Sequence, residues 1–148
     1  MKKTILIIVI IMTAIFSSSA QSKSKNFTIL DFNFQNFKEI NSQFKDEANF
    51  YIVGVSKVLA PVQISSVLTN KQVDELHIYA PCKPGSIVFS NIALTPDNVE
   101  EYAFYLSQWA AHVTGKVVIQ DSEVFTTQRG LELKIKLEKI TGLNFTTL

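Results

Sequence analysis

The sequence predicts an α+β fold, with a small mixed or antiparallel sheet and two helices on one face. Short runs rich in β-branched and aromatic residues recur along the chain, as in strands. Between them lie two segments whose apolar residues are three or four positions apart, as on one face of a helix. The order strand–helix–strand–strand occurs twice, which indicates a pseudo-repeat with halves at 27–85 and 86–148.

The first 20 residues are typical of a secretory signal peptide. Lys2 and Lys3 precede an apolar run at 4–16, shorter than the roughly 20 residues that a membrane span needs. Small residues follow as far as Ala20, as at a cleavage site. We expect cleavage there and a mature chain that is periplasmic or secreted, with no stable membrane span. An uncleaved N-terminal anchor is the alternative.

The mature chain begins with a polar stretch at 21–26, which predicts a flexible lead before a single domain at 27–148. A strand is expected at 27–34, where Phe32 and Phe34 alternate with polar residues. Apolar residues at helical spacing then predict a short amphipathic helix at 36–48. The remainder of this half is expected to form strands at 49–59, 62–68 and 74–80, followed by a loop at 81–86 that contains proline and glycine.

The second half opens with an expected strand at 86–94, a helix at 96–114 and a strand at 116–120. Apolar and charged residues then alternate over 131–137, which favours a strand paired in a hairpin with 123–127. The same stretch also fits a helix through Leu133, Leu137 and Ile140 that ends at Gly142.

The helix at 96–114 has clear end signals and two adjacent apolar rows. Thr95 suits the N-cap, Pro96 suits the first helical position, and Gly115 suits the position after the helix. One row is expected to face the core, and it consists of Val99, Ala103, Leu106, Ala110 and Val113. The second row is either the flank of that core or an exposed recognition strip, and it consists of Tyr102, Tyr105, Trp109 and His112.

Phe104 lies among polar residues on the opposite side of this helix. A single exposed apolar residue is common on protein surfaces. Here it could also anchor a partner, and we therefore predict that Phe104 belongs to a contact surface, together with the second row.

Catalytic chemistry has little support in the sequence. His77 and His112 are the two histidines and Cys82 is the single cysteine, so an internal disulfide is impossible. A Cys82–His–Asp set can be written with Asp74 or Asp121, but no spacing favours it. In a strand, His77 would point away from the face of its apolar neighbours. The sequence leans towards a non-enzymatic protein with no cofactor and no metal ion.

Charge argues against nucleic acid as a partner. Without Lys2 and Lys3 the 14 Lys and Arg fall to 12, against 13 Asp and Glu, so the mature chain carries a formal charge of about −1. Proteins that bind nucleic acid or anionic lipid electrostatically need a clear excess of basic residues.

The segment 86–148 resembles the short periplasmic N-terminal domains of secretins and TonB-dependent receptors. The similarity lies in a strand, a helix ending at Thr114-Gly115-Lys116, an apolar strand at 117–119, and then Asp121. The terminal KITGLNF is similar to the helix-to-strand exit that closes such domains. This resemblance implies a protein–protein docking module in the cell envelope, without catalytic residues.

Two functions are therefore expected from different classes. The first is an exported, non-enzymatic binding or accessory protein that works through protein–protein contacts in the cell envelope or outside the cell. The second is a small exported enzyme or small-molecule binder with a pocket near the helix, lined by Tyr102, Tyr105, Trp109 and His112. An enclosed cavity beside these four residues would favour the second function.

Overall fold

The computed structural model describes residues 25–148, and its central feature is a five-stranded parallel sheet. The predicted signal peptide and most of the predicted lead lie outside this range. In chain order the strands are β1 (Asn26–Asp31), β2 (Phe50–Val53), β3 (Val73–Tyr79), β4 (Cys82–Lys83), β5 (Ser86–Phe89), β6 (Ile92–Leu94), β7 (Val113–Ile119) and β8 (Asn144–Thr147). The helices are α1 (Phe37–Phe44), α2 (Ala60–Leu68), α3 (Ala103–Ser107) and α4 (Gln128–Thr141).

The parallel sheet has the strand order β2-β1-β3-β7-β8, and a separate antiparallel sheet consists of β4, β5 and β6. The predicted α+β class is confirmed, because strands of both kinds combine with helices in one core. The finer prediction of a mixed or antiparallel sheet with two helices on one face is wrong for the larger sheet, which is entirely parallel and has, in the described part of the chain, four helices divided between its faces. From β1 the chain crosses to β2 on one side, and it then returns past β1 to add β3, β7 and β8 on the other. Right-handed crossovers therefore place α1 on one face and the later helices on the opposite face.

The core lies between the sheet and helices α2, α3 and α4. Ile64, Leu106 and Leu133 from these helices are buried together with alternate residues of the strands. Parallel register sets Phe27 beside Leu76 and Leu76 beside Val117, so their side chains point to the same face. We call this the core face. The intervening residues of each strand point to the other side, which we call the α1 face.

The predicted strand at 62–68 is wrong, because these residues form α2. Pro61 is the second residue of the helix, in the first turn, where its missing N–H costs no hydrogen bond. The buried residues of α2 include Ile64 and Leu68, four positions apart, and Ser65 between them. The run of apolar residues at 60–68 belongs to a helix that is largely buried. The periodicity of a short apolar run does not distinguish such a helix from a buried strand.

The predicted hairpin at 123–137 is also wrong, and the alternative helix ending at Gly142 is confirmed as α4. Its buried residues Gly130, Leu133, Leu137 and Thr141 are three or four positions apart. Ile135, which suggested alternation, is 64% exposed. Thr127 caps the helix by accepting a hydrogen bond from the Gly130 N–H. With α2 and α4 helical, the strand–helix–strand–strand order is not repeated, so the pseudo-repeat is wrong as well.

The predicted helix at 96–114 is shorter and less regular than expected. The α-helical part, α3, is flanked by 3-10 turns at Val99–Tyr102 and Gln108–Ala111. Ala110, expected in the core row, is exposed, whereas Trp109 is buried. The predicted strand at 86–94 is interrupted as well, because it turns back on itself between β5 and β6.

Gly115 lies inside β7 rather than after a helix. The register between β3 and β7 shifts between Val73 and Glu75, which brings the two backbones close together. A Cβ atom on Gly115 would lie 2.5 Å from the Asp74 carbonyl oxygen. This close approach explains why a glycine occupies the position. Gly115 therefore does not end a helix, as the sequence suggested, but allows two strands to approach each other.

Candidate functional site

Asp31 occupies the place where open parallel sheets usually bind ligands, beyond the carboxyl ends of the strands where the strand order reverses. In this sheet that place lies between β1 and β3. The Asp31 side chain is fully buried at 0% exposure. It accepts hydrogen bonds from the Asn33 N–H (2.9 Å), the Ser90 N–H (2.8 Å) and the Ser90 hydroxyl (2.7 Å). Its oxygens are thus engaged by the chain itself.

The turn between β5 and β6 carries Ser90 into this crevice. Gly54, directly after β2, permits the approach: its φ is +91°, and a Cβ atom there would lie 2.5 Å from the Ser90 hydroxyl oxygen. A side chain at position 54 would therefore disturb the bond between Ser90 and Asp31. The usual ligand crevice of such a sheet is filled by the β5–β6 turn.

Cys82 lies near the same edge and is a poor nucleophile. Burial, with a further contribution from the Asp121 carboxylate, raises the pKa of the Cys82 thiol to about 12. The Cys82 Sγ lies 3.4 Å from the Ala80 carbonyl oxygen, to which the thiol donates. The ring nitrogens of His77 contact Glu75 and Gln120, and the Nδ1 of His112 contacts the Lys71 carbonyl oxygen. The structure therefore does not assemble a Cys82–His–Asp set.

We predict that native Cys82 reacts with a thiol reagent such as DTNB at pH 8 at least about tenfold more slowly than the urea-unfolded chain. The reason is that the raised pKa leaves little thiolate in the folded protein. Absorbance of the released thionitrobenzoate measures both rates. Equal rates in the folded and unfolded chains would contradict the buried, neutral thiol. The difference should shrink as the pH approaches the raised pKa.

The α1 face of the sheet is only partly covered. Helix α1 has no buried residue. It covers the side of the sheet around β1 and β2 through Phe44, whose ring contacts Phe50 and Tyr79 at centroid distances of 6.2 Å. Beside α1, the α1 face of β1 and β3 opens into a groove of about 820 Å³, which Gln120 and Leu148 border after β7 and β8. The groove is lined by Lys25, Asn26, Thr28, Phe44, Glu47, Ala48, Asn49, His77, Tyr79, Gln120 and Leu148.

A row of hydrogen-bonded polar groups runs across the strands on this face. The His77 Nε2 lies 2.8 Å from a Glu75 carboxylate oxygen, and the Gln120 Nε2 lies 3.0 Å from the His77 Nδ1. This pattern fits a neutral imidazole that donates from Nε2 to Glu75 and accepts at Nδ1 from Gln120. The Lys116 ammonium lies 3.5 Å from Glu75. The hydrogen bond from His77, followed by the charge of Lys116, lowers the pKa of Glu75 despite partial burial.

Two hydroxyl groups in the groove have no hydrogen-bond partner within residues 25–148. Thr28 is only 5% exposed, yet it lines the groove, and no buried side-chain oxygen or nitrogen of the described chain lacks a partner. The Thr28 hydroxyl must therefore keep its access to the groove. Tyr79 is half-buried, and burial raises the pKa of its phenol. The groove thus offers two partly desolvated hydroxyls beside the His77–Gln120 pair.

The residues predicted from the sequence as a binding strip lie elsewhere, and they do not form one surface. Trp109 is 1% exposed and donates from Nε1 to the Ser65 hydroxyl at 3.1 Å. Tyr102 and Tyr105 are half-buried. The half-buried His112 places its Nδ1 3.0 Å from the Lys71 carbonyl oxygen. Phe104 is 71% exposed, as its position among polar residues indicated, and its ring contacts Tyr105 edge to face.

These five residues line neither the groove nor a second, smaller depression of about 240 Å³ beside Tyr51 and Gln63. The sequence did place His77 correctly on the face opposite Leu76 and Ile78. It did not identify the groove, because Thr28, His77 and Gln120 come together only through the order of β1, β3 and β7. Their shared position is a property of strand register, which no local pattern in the sequence shows.

Within residues 25–148, no group of three or more histidine, cysteine, aspartate or glutamate side chains could hold a metal ion. In the same part of the chain, no helix has the length and apolar character that crossing a membrane requires.

These features define a class of protein: an α+β domain on a doubly wound parallel sheet, with its usual ligand crevice filled and a groove on one face of the sheet. The chain belongs to the family described as Domain of unknown function (DUF4347), whose model matches residues 27–147. No curated protein and no solved structure matches the chain.

Proposed function

We propose that this chain is an exported, non-enzymatic binding or accessory protein that works through protein–protein contacts in the cell envelope or outside the cell. The observation that carries the proposal is the α1 face of the parallel sheet. Parallel sheets occur almost entirely in folds where both faces are covered. Here three helices cover the core face, whereas the α1 face has one short helix without a buried residue. A partner that lies on this face would complete the usual three-layer arrangement.

The chemistry of the most reactive groups supports a binding role rather than catalysis. The carboxylate of Asp31 is engaged by hydrogen bonds from Ser90 and Asn33. The raised pKa of Cys82 makes its thiol a weak nucleophile near neutral pH. The Asp31 carboxylate joins the end of β1 to the β5–β6 turn, which is a structural role. The resemblance of 86–148 to envelope docking domains implies the same class of activity.

A second contact surface has one observation in its favour. Phe104 is 71% exposed, and its ring lies against Tyr105 on the helical side of the molecule. Large aromatic residues are enriched in protein interfaces. The two surfaces lie on different sides of the sheet, so that one experiment can separate them.

The proposal is tested by photo-cross-linking in envelope fractions of the source organism. The mature chain from Gln21 carries a photoreactive amino acid at Asn49 in the groove, at Phe104, or at the exposed Lys139 on α4 as a control. We expect one defined protein to be cross-linked from position 49 and not from position 139. That adduct should disappear when unlabelled mature chain competes.

Cross-linking from position 104 alone would move the contact surface to the α3 side and overturn the assignment to the groove. Failure to cross-link a specific protein from either position 49 or position 104 would overturn the protein-contact function. Circular dichroism of each labelled chain establishes that it is folded before the cross-linking is compared.

A further inference from the structure

We propose that the groove on the α1 face binds an extended, uncharged peptide segment of the partner, about six residues long. This inference rests on the proposed function and specifies the chemistry of its site. Three properties of the groove lead to it: the cancellation of charge, the presence of unpartnered hydroxyls, and the shape of the apolar part.

Charge in and around the groove is balanced within the protein. The Glu75 carboxylate is balanced by the Lys116 ammonium and hydrogen-bonds to His77. The groove itself is lined by one lysine and one glutamate, Lys25 and Glu47, whose formal charges cancel. The groove therefore presents no net charge that would favour an anionic or a cationic ligand. An uncharged ligand avoids the cost of burying an unpaired charge.

The polar groups of the groove match the N–H and C=O groups of a peptide backbone. The hydroxyls of Thr28 and Tyr79 can each donate and accept, and both are without a partner in the described chain. Asn49 adds an amide at the rim. A peptide backbone carries one donor and one acceptor per residue, so it can satisfy hydroxyl and amide groups in succession. Hydrogen bonds from a peptide would stabilise these hydroxyls, because water reaches them only in part.

The apolar part of the groove favours a peptide over a sugar. Phe44, Ala48 and Leu148 contribute apolar surface. The Phe44 ring is stacked on Phe50 with an interplanar angle of 22°, and Tyr79 lies tilted against it. These rings are engaged with one another, whereas a sugar stacks on a free ring face. Aliphatic side chains of a peptide can fill the space beside Phe44 and Leu148 without such a face.

The length of the groove sets the length of the peptide. Its lining extends from Lys25, before β1, to Gln120, directly after β7. Strands β1 and β7 have six and seven residues, which corresponds to about 20 Å at roughly 3.3 Å per residue. An extended peptide of about six residues has the same length. Its alternate side chains would point towards the sheet and away from it.

The test begins with a random hexapeptide library displayed on phage and selected on the mature chain from Gln21. We expect enriched sequences that are uncharged, with aliphatic residues at alternate positions. An enriched sequence is then synthesised with both termini capped, and its Kd is measured by isothermal titration calorimetry.

Isosteric variants connect that affinity to the groove. Thr28→Val and Tyr79→Phe each remove one unpartnered hydroxyl, so neither should destabilise the fold. Each should raise the Kd about fivefold, as expected for one lost hydrogen bond. The matched controls are Thr147→Val and Tyr51→Phe. Thr147 is paired with Ile119 and Tyr51 with Ile29 in register, so both side chains point to the core face and both variants should leave the Kd unchanged.

Several results would overturn the inference. These are the absence of enrichment, enrichment of charged sequences, and equal loss of affinity in the variants and their controls. Capped neutral oligosaccharides of glucose or N-acetylglucosamine serve as a second set of probes. If these oligosaccharides bind, and Thr28→Val and Tyr79→Phe lower their affinity, the ligand is a glycan and not a peptide. A failed selection together with cross-linking from position 49 would remove the peptide inference and leave the protein-contact function standing.

Discussion

Replacing Asp31 with alanine is expected to lower the free energy of unfolding by about 3 kcal/mol. The substitution removes a fully buried acceptor of three hydrogen bonds, from the Asn33 N–H and from the N–H and hydroxyl of the half-buried Ser90. Donors that lose their acceptor and are not fully solvated leave hydrogen-bonding capacity unused. Because single domains are stable by only about 5 to 15 kcal/mol, a loss of this size should be readily visible. Urea unfolding, followed by the fluorescence of the buried Trp109, measures the change.

Two further variants separate the role of Asp31 from a general effect of charge. Asp46→Ala removes an exposed carboxylate and should change the free energy of unfolding by less than about 0.5 kcal/mol. Ser90→Ala removes one of the three donors and should cost about 1 kcal/mol. If Asp31→Ala unfolds within about 1 kcal/mol of the parent, then Asp31 is not a structural residue and the crevice at the end of β1 regains its interest as a ligand site.

The parts of the fold that the sequence predicts are those governed by neighbouring residues. The strand beginning at Phe27, the helix around Phe37 and Phe44, and the strand at 116–120 all have clear periodicity, and all are present. The end signal at Gly142 correctly marks the end of α4. Where the pattern was ambiguous, as in α4, tertiary burial decided the structure. Leu133 and Leu137 face the core, whereas Ile135 of the same alternating run faces solvent.

The candidate site could not be predicted in the same way, because it depends on contacts between distant strands. Thr28 and His77 are paired across β1 and β3, and His77 and Val118 across β3 and β7. Nothing local to any of these residues shows which strands are neighbours. The aromatic row of the 96–114 segment attracted attention instead, because large rings at helical spacing fit a core and an interface equally well. Only burial shows that Trp109 belongs to the core and not to an interface.

Trp109→Ala is expected to have the largest effect on stability, about 4 kcal/mol. The indole is 1% exposed in the core between α2 and the sheet, and its Nε1 donates to the Ser65 hydroxyl at 3.1 Å. The Ser65 hydroxyl in turn lies 2.7 Å from the Tyr105 carbonyl oxygen, so this small network joins α2 to α3. Alanine would leave a large cavity and remove one member of the network. Because Trp109 is the only tryptophan, urea unfolding of this variant must be followed by circular dichroism.

Trp109→Phe keeps most of the ring volume while it removes the indole N–H, and it should cost about 2 kcal/mol, so that a measurable protein remains if the alanine variant fails to fold. Phe104→Asp is the opposing control, because Phe104 is exposed and its substitution should leave the free energy of unfolding within about 0.5 kcal/mol of the parent. A stable Trp109→Ala chain that has lost its partner would show that Trp109 belongs to a recognition strip. Loss of stability in Trp109→Ala, with Phe104→Asp unaffected, assigns Trp109 to the core and leaves the exposed Phe104 as the residue that a partner can reach.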